Sequence, residues 1–283
     1  MPRQLTRSLG RLALAVTLAA VAMLQMGSTP VNAAISWTCE YRASDHRMRL
    51  TASGAGTLVI GRDGFRIMVN AKWCDKKASV TNTDQITVLA GAGNQVVQFQ
   101  FGFSGDSGFV PGFTNEPGNS DEIEISVSLG GGHDKLSIVG AETADHIVLG
   151  ASSGGFAMGR ANLNAGEATG VDADLTMVIG IEEVEVIGGN GGDTISGAGG
   201  AATGEKVAFP LTVYGGNNSD LLTGGAAGDY LQGSYGSDTI QGGPGPDHIH
   251  ATDGVDGNDT IQGGKGVDFC DTDAGDSESS CES

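Results

Sequence analysis

The sequence predicts an all-β fold whose short strands stack as the coils of a solenoid, and three observations predict it. From Gly215 onward a nine-residue phrase recurs in register: GGNNSDLLT, GGAAGDYLQ, GSYGSDTIQ, GGPGPDHIH, GVDGNDTIQ and GGKGVDFCD. The chain carries 48 Gly in 283 residues without a strict triplet, and 39% of it is apolar, which excludes collagen and separates it from disordered chains. No stretch after residue 33 has the periodicity of a helix.

The phrase dictates its own packing. Its eighth position holds Leu222, Leu231, Ile240, Ile249, Ile261 and Cys270. One inward apolar residue in nine cannot build a core within a phrase, so successive strands have to stack and bury a continuous ladder. The residues before each strand are mostly Gly, Asn, Ser and Pro, a run that turns sharply because Gly reaches positive φ without steric cost. One coil takes two phrases, so the loops of alternate phrases lie one above the other on the same edge.

In chain order, residues 1–33 carry Arg3, Arg7 and Arg11, an apolar run from Leu12 to Leu24 and the small-residue pattern Val31-Asn32-Ala33. This is the pattern of a secretory signal peptide cut after Ala33, and its apolar run is shorter than a membrane helix needs. The expected mature chain is secreted and has no membrane span. Residues 34–79 lack the phrase and read as an N-terminal β cap. Strands are expected at Trp37 to Tyr41, Met48 to Ala52, Thr57 to Ile60 and Phe65 to Asn70, the last two joined by Gly61-Arg62-Asp63-Gly64, a hairpin signal.

Residues 80–187 read as a degenerate stretch of the same solenoid. The phrase LGGGHDKLS puts Asp134 at the sixth position and GAETADHIV puts Asp145 there, whereas AGAGNQVVQ puts the neutral Gln95 there. Strands are expected at Gln85 to Leu89, Val96 to Phe103, Glu122 to Leu129 and Glu182 to Ile187, the last with Val184 and Val186 inward. The Pro- and Gly-rich stretch from Gly102 to Ser120 is expected as a loop.

Residues 188–271 form the expected calcium-binding segment, which contains the clean run from Gly215 and an upstream extension of its register. The segment begins with GGNGGDTIS, whose sixth position is Asp193, and the eighteen residues 197–214 count as two further phrases with Ala202 and Leu211 at that position. On that count Asp193 lacks a same-edge carboxylate partner. Residues 272–283 read as a C-terminal cap. A secreted chain with four Cys implies two disulfides. Three connectivities exist; the local one, Cys39 with Cys74 and Cys270 with Cys281, staples each end, where a solenoid exposes raw sheet edges.

The formal charge is −19, and removing residues 1–33 takes away three Arg and no acid, leaving −22. Residues 188–283 hold 15 Asp and Glu against two Lys. That balance argues against nucleic acid or anionic lipid as partner. The acids recur at one position of the phrase: Asp220, Asp229, Asp238, Asp247, Asp259 and Asp268, with Asp193 and Asp134 as outlying members. Stacked Gly-rich loops offer carboxylate and carbonyl oxygens, of which Ca²⁺ takes roughly six to eight, while Mg²⁺ demands a tighter octahedron and no Cys/His set has zinc spacing. Several Ca²⁺ ions are therefore expected, between the loops of Asp220 and Asp238, Asp229 and Asp247, Asp238 and Asp259, and Asp247 and Asp268. The insertion Ala251-Thr252-Asp253 falls within the last two pairs. Gln95 argues for a coil without metal. Carboxylates packed this closely repel, so the region is expected to gain structure as Ca²⁺ neutralises it.

The phrase Gly-Gly-x-Gly-x-Asp-x-U-x, with U apolar, resembles the calcium-binding nonapeptide repeat of the RTX, or haemolysin-type, family. The order of a Cys-stapled cap, weak repeats and a clean run ending in a Cys pair is also similar to secreted actinobacterial calcium-binding proteins of that type. The resemblance implies a right-handed parallel β-roll with Ca²⁺ between its loops. Many family members leave the cell by an uncleaved C-terminal signal; this chain has the N-terminal pattern instead.

No enzyme is expected. Gly150-Ala151-Ser152-Ser153-Gly154 matches G-x-S-x-G without a following helix, and no HExxH occurs. His133, His248 and His250 fall at variable phrase positions, expected in solvent. Asp271, Asp273 and Glu282 imitate an EF-hand loop but have Asp276 where its turn Gly belongs, although Asp271, Asp273 and Asp276 are in place to complete a site at the cap. The expected function is non-enzymatic calcium binding outside the cell. The alternatives are a polysaccharide-acting β-helix enzyme, which predicts a groove of acids and aromatics along one face, and a surface adhesin or interaction module for cell-surface or matrix components, for which Tyr230, Tyr235 and Phe109 are the available aromatics.

Overall fold

Alternation of apolar and polar residues starts with the first described strands. In the computed structural model, which describes residues 35–80, 82–100, 102–103, 106–107, 123–151, 159–163 and 173–282, every regular element of those residues is a strand. The segment expected as a signal peptide lies outside them. The chain divides after Ala33, and the second unit is the one described. Strand β1 (Ser36–Arg42) pairs antiparallel with β2 (Arg47–Ser53), and β3 (Gly56–Asp63), β4 (Arg66–Val69) and β5 (Lys72–Trp73) form an antiparallel meander. Met48, Leu50, Leu58, Ile60, Ile67 and Val69 alternate into the core and are fully buried. The β3–β4 loop is Gly64-Phe65, one residue beyond the expected turn, because Asp63 and Arg66 still pair and Gly64 supplies the positive φ of 57°.

The middle of the chain adds β6 (Gln85–Ala90), β7 (Gln95–Gln100), a small hairpin of β8 (Gly102–Phe103) and β9 (Asp106–Ser107), then β10 (Glu124–Ser128) and β11 (Lys135–Val139). Apart from that hairpin, the expected 102–120 loop lies outside the described residues. Strands β2, β6 and β10 run parallel and adjacent in one sheet, and β3, β7 and β11 do so in a second. The segment 34–79 thus supplies the first parallel rung of both sheets. Next come β12 (His146–Ala151), β13 (Gly159–Asn162) and β14 (Leu175–Ile179), an antiparallel meander in the first sheet, and β15 (Glu183–Asn190), which pairs parallel with β11 in the second. The meander enters in reverse order, with β14 beside β10.

From there the chain alternates strictly. Strands β16 (Thr194–Ser196), β18 (Leu221–Thr223), β20 (Thr239–Pro244), β22 (Thr260–Lys265) and β24 (Ser277–Ser279) join the first sheet. Strands β17 (Leu211–Asn217), β19 (Tyr230–Tyr235), β21 (His248–His250) and β23 (Phe269–Asp271) join the second, all in parallel pairs. Leu222, Leu231, Ile240, Ile249 and Ile261, the eighth-position residues, are buried in one cluster fed by both sheets. Burying each contributes about 1.5–3 kcal/mol. Cys270 is half-buried and bonds to Cys281, and Cys39 bonds to Cys74, with Cα atoms 5.8 and 5.3 Å apart.

Residues 197–214 do not form two phrases. Between β16 and β17 the stretch 197–210 leaves the sheets, bridging Ala151 to Glu205 and Gly200 to Gly204, and Val207 is its buried anchor. One strand is gained where two were expected, so β16 pairs with β18 and Asp193 bonds to Asp220, 27 residues on.

Two phrases place a non-glycine residue at positive φ: Asn218 at 79° in the fourth position and Ser234 at 76° in the second. Their counterparts Gly236 and Gly245, and Gly216 and Gly243, are glycines in the same half of the map. Asn tolerates this conformation; Ser does so poorly. Ser234→Gly is expected to stabilise the folded protein by about 0.5–1 kcal/mol after the entropy cost of Gly, a rise of roughly 1–3 °C in Tm. A lower Tm counts against this backbone assignment.

Candidate metal centre

The short loops between sheets stack into two edges, and the sixth-position residues form a ladder along each. On the edge leading from the second sheet to the first, the Asp145 N–H donates to Asp193 Oδ1 (2.8 Å), Asp193 to Asp220 (2.7 Å), Asp220 to Asp238 (2.8 Å) and Asp238 to Asp259 (2.7 Å). Asp276 Oδ1 ends this ladder on the Asp259 N–H at 3.2 Å. On the opposite edge the Leu211 N–H donates to Asp229 Oδ1 (2.8 Å), Asp229 to Asp247 (2.8 Å) and Asp247 to Asp268 (3.0 Å), and Glu282 Oε2 accepts from Asp268. Further up that edge, Gln95 donates to Asp134 Oδ1 (2.6 Å) and Asp134 to Glu182 Oε2 (2.8 Å).

Each of these carboxylates except that of Asp145 therefore spends one oxygen on a backbone amide of the neighbouring rung. The other is left over. Asp134, Asp193, Asp220, Asp238, Asp247, Asp259 and Asp268 are 0–3% exposed, and in each Oδ2 is buried without a hydrogen-bond partner. Asp229 and Asp145 are the exceptions, their Oδ2 atoms taking the Gly225 and Ala141 N–H, each at 2.6 Å. An orphaned buried oxygen costs about 1–3 kcal/mol, more for a charged group, so a row of them is a demand for a cation or for protons.

The first glycine of each phrase makes room for that oxygen. A Cβ on Gly215 would lie 2.3 Å from Asp220 Oδ2 and 2.8 Å from the Gly233 carbonyl oxygen; on Gly224, 2.5 Å from Asp229 Oδ2 and 2.2 Å from Gly242 O; on Gly242, 2.5 Å from Asp247 Oδ2 and 2.4 Å from Gly263 O. Carboxylate and carbonyl oxygens of successive rungs thus converge where side chains are missing. No three His, Cys, Asp or Glu side chains converge on one point among the described residues. Hard oxygens supplied largely by backbone carbonyls suit Ca²⁺ and not a transition metal. The residues present fit that ion.

Burial dominates the electrostatics. It pushes the carboxyls of Asp193 and Asp220 up to about 7, and those of Asp229 and Asp259 to about 6. Stacked carboxylates add to the rise, Asp238 acting on Asp220 and Asp247 on Asp229, against the lowering by the backbone N–H bonds. Asp134, Asp145, Asp238 and Asp247 are raised for the same leading reason.

All four expected pairs of loops are brought together. Asp193 requires a correction: it sits between Asp145 and Asp220, because 197–210 is thrown out as a loop, and Leu211 consequently falls on the opposite edge. Sequence reasoning missed Glu182 and Glu282 as rungs, and placed Asp276 at the cap without its neighbour Asp259. Asp276 is the sixth residue of DTDAGDSES, whose β24 pairs with β22, and Gly180-Ile181-Glu182 repeats the fourth-to-sixth pattern with Gly180 at φ 74°. Glu282 has no such signal; the disulfide beside it puts it there. Cys281→Ser is expected to cost about 2–3 kcal/mol through the reopened loop and to weaken calcium binding at Asp268 selectively. Calorimetric titration of the variant checks this, and an unaltered isotherm removes the clasp role from the disulfide.

The other candidates separate from this site. Ser152, Ser153 and Gly154 of the G-x-S-x-G match lie outside the described residues, as does Phe109. His250 Nδ1 lies 3.0 Å from Asp271 Oδ2, and His248 joins an outer-face stripe on the second sheet. In that stripe Tyr214, Tyr230, His248 and Phe269 follow one another at 5.9, 5.3 and 5.0 Å between ring centres, the last two contacts edge to face. Glu183 and Glu185, on the same face, share Lys135 at 2.9 and 2.6 Å. No helix among the described residues is long and apolar enough to cross a membrane.

The comparisons with known proteins bear on one stretch of the chain. Residues 214–249, 232–256 and 253–277 match the family model of the RTX calcium-binding nonapeptide repeat, in four copies. No curated protein and no solved structure matches the chain.

Proposed function

Because residues 214–277 belong to the RTX calcium-binding nonapeptide-repeat family, we propose that this chain is a secreted, non-enzymatic calcium-binding protein that folds as a right-handed parallel β-roll around several Ca²⁺ ions. The observation that carries the reading is the row of buried, unpartnered Oδ2 atoms set against glycine carbonyls. Asp220, Asp229, Asp238, Asp247, Asp259 and Asp268 are the proposed carboxylate ligands of the matched run. Asp276 and Glu282 supply the closing carboxylates of the two edges. Ca²⁺ would neutralise charge in these loops and cross-link successive rungs; the chain's own part is to hold Oδ1 on the amide ladder so that Oδ2 stays aimed.

Secretion is supported by the pattern of residues 1–33 together with two disulfides. The non-enzymatic reading is supported by Glu183 and Glu185, which are engaged with Lys135 and are not opposed across a cleft. The aromatic stripe favours a second reading, in which the calcium-loaded roll presents this face to cell-surface or matrix components. Equilibrium dialysis of residues 34–283 tests the calcium reading: several Ca²⁺ ions retained against excess Mg²⁺ are expected, and no retained calcium overturns it.

A further inference from the structure

We infer that the cation ladder continues upstream of the family-matched residues along one edge, with one site between loops 140–145 and 188–193 and a second between loops 188–193 and 215–220. The inference rests on the calcium reading of the matched loops. Asp193 is 1% exposed, and its Oδ2 has no partner. Its Oδ1 takes the Asp145 N–H at 2.8 Å while its own N–H goes to Asp220 Oδ1 at 2.7 Å, the same exchange that Asp220 makes with Asp238 inside the matched run.

The cradle is repeated as well. A Cβ on Gly140 would lie 2.3 Å from Asp145 Oδ2 and 2.5 Å from Gly188 O, and one on Gly188 would lie 2.2 Å from Asp193 Oδ2 and 2.5 Å from Gly215 O. These match the 2.3 and 2.8 Å at Gly215. Asp145 Oδ2 also takes the Ala141 N–H at 2.6 Å, as Asp229 Oδ2 takes that of Gly225. At the rim, Asn190 bonds Glu142 Oε2 at 2.8 Å, adding a third carboxylate to loops that contain no Lys or Arg.

Upstream of the matched run, the opposite edge lacks the cradle. Asp134 has a buried, unpartnered Oδ2, but its phrase begins with Leu129, a fully buried side chain where the phrases of Asp145, Asp193 and Asp220 have glycine. Its upper neighbour is Gln95, which donates Nε2 to Gly54 O at 2.7 Å and brings no charge. The sites therefore extend on one edge and stop on the other. This pairing is invisible in sequence, because Asp145 and Asp193 stand 48 residues apart with the β12–β14 meander between them.

Native mass spectrometry of the calcium-loaded chain 34–283 tests this. Asp145→Asn is expected to bind one Ca²⁺ fewer than wild type, Asp193→Asn two fewer, and Asp134→Asn the same number. An unchanged count for Asp145→Asn and Asp193→Asn, with fewer ions in Asp238→Asn, overturns the extension and leaves the matched sites standing; an unchanged count in Asp238→Asn as well overturns the calcium reading itself. Terbium-substituted crystals of the wild-type chain remove any dependence on variant folding. An anomalous peak between Asp145 and Asp193 is expected, and its absence beside a peak between Asp220 and Asp238 overturns the inference.

Discussion

Chelating calcium at about pH 7.5 is expected to abolish the far-UV β signal of the C-terminal coils, and lowering the pH to about 5 in the same chelator is expected to restore part of it. A site held at about a hundred times its Kd stabilises the folded state by about 2.7 kcal/mol, so the four loop pairs of the matched run together contribute roughly 10 kcal/mol. That is the size of a whole domain's net stability, about 5–15 kcal/mol. Without the ion, the buried carboxylates must be either charged and repelling or protonated. Their folded pKa values, about 7 for Asp193 and Asp220 and about 6 for Asp229 and Asp259, lie above the ordinary carboxylate value of 3.8. A raised folded pKa means that the folded state holds its protons more tightly than the unfolded one. The calcium-free fold therefore keeps this contribution below the unfolded pKa and loses it as pH rises through about 6 to about 7. Circular dichroism across that window decides the matter; a chelated chain that is equally folded at both pH values contradicts the account.

Asp238→Ala is expected to be among the most damaging single substitutions in the matched run. Asp238 faces two proposed sites, and its Oδ1 satisfies the Asp220 N–H while its own N–H is bonded to Asp259. Alanine removes a ligand from both sites and leaves a buried amide unpaired at a cost of about 1–3 kcal/mol. Losing the ion contribution of two sites adds roughly 5 kcal/mol, enough to unfold the neighbouring coils at ordinary calcium levels. Asp238→Asn separates the two effects, because the amide oxygen still accepts the Asp220 N–H but the charge is gone. It should fold in high calcium with a right-shifted titration. Asp134→Ala, at a rung without the glycine cradle, should shift calcium binding far less, and equal shifts for the Asp134 and Asp238 alanine variants contradict the stacking.

Much of the fold was legible because its grammar is local. Glycines at turns and one aliphatic residue in nine place Leu222, Leu231, Ile240, Ile249 and Ile261 in the core with no knowledge of their neighbours. The same period places the aspartates and predicts the contacts of Asp220 with Asp238 and of Asp229 with Asp247. The errors occur where the period is broken. Residues 197–214 count as two phrases, yet only Leu211 to Tyr214 enter a sheet, which moves Leu211 to the other edge and gives Asp193 to Asp220. Phe209, half-buried against the core, and buried Val207 hold that excursion, contacts that no nine-residue count foresees. Likewise the aromatics are few, and only the parallel register brings Tyr230, His248 and Phe269 into one stripe.

By itself, the sequence determined the all-β class, the inward residues, the carboxylate position within each loop and the ion that such oxygens suit. The tertiary structure alone decided which loops are neighbours on an edge, that the Asp145 and Asp193 rungs join the ladder, and that Asp276 and Glu282 end it. The physical reason is one of range. Turn chemistry and alternation act within nine residues, whereas the neighbour of a rung depends on whether the segment between is wound into a sheet or expelled from it. That choice is made by burial against distant strands.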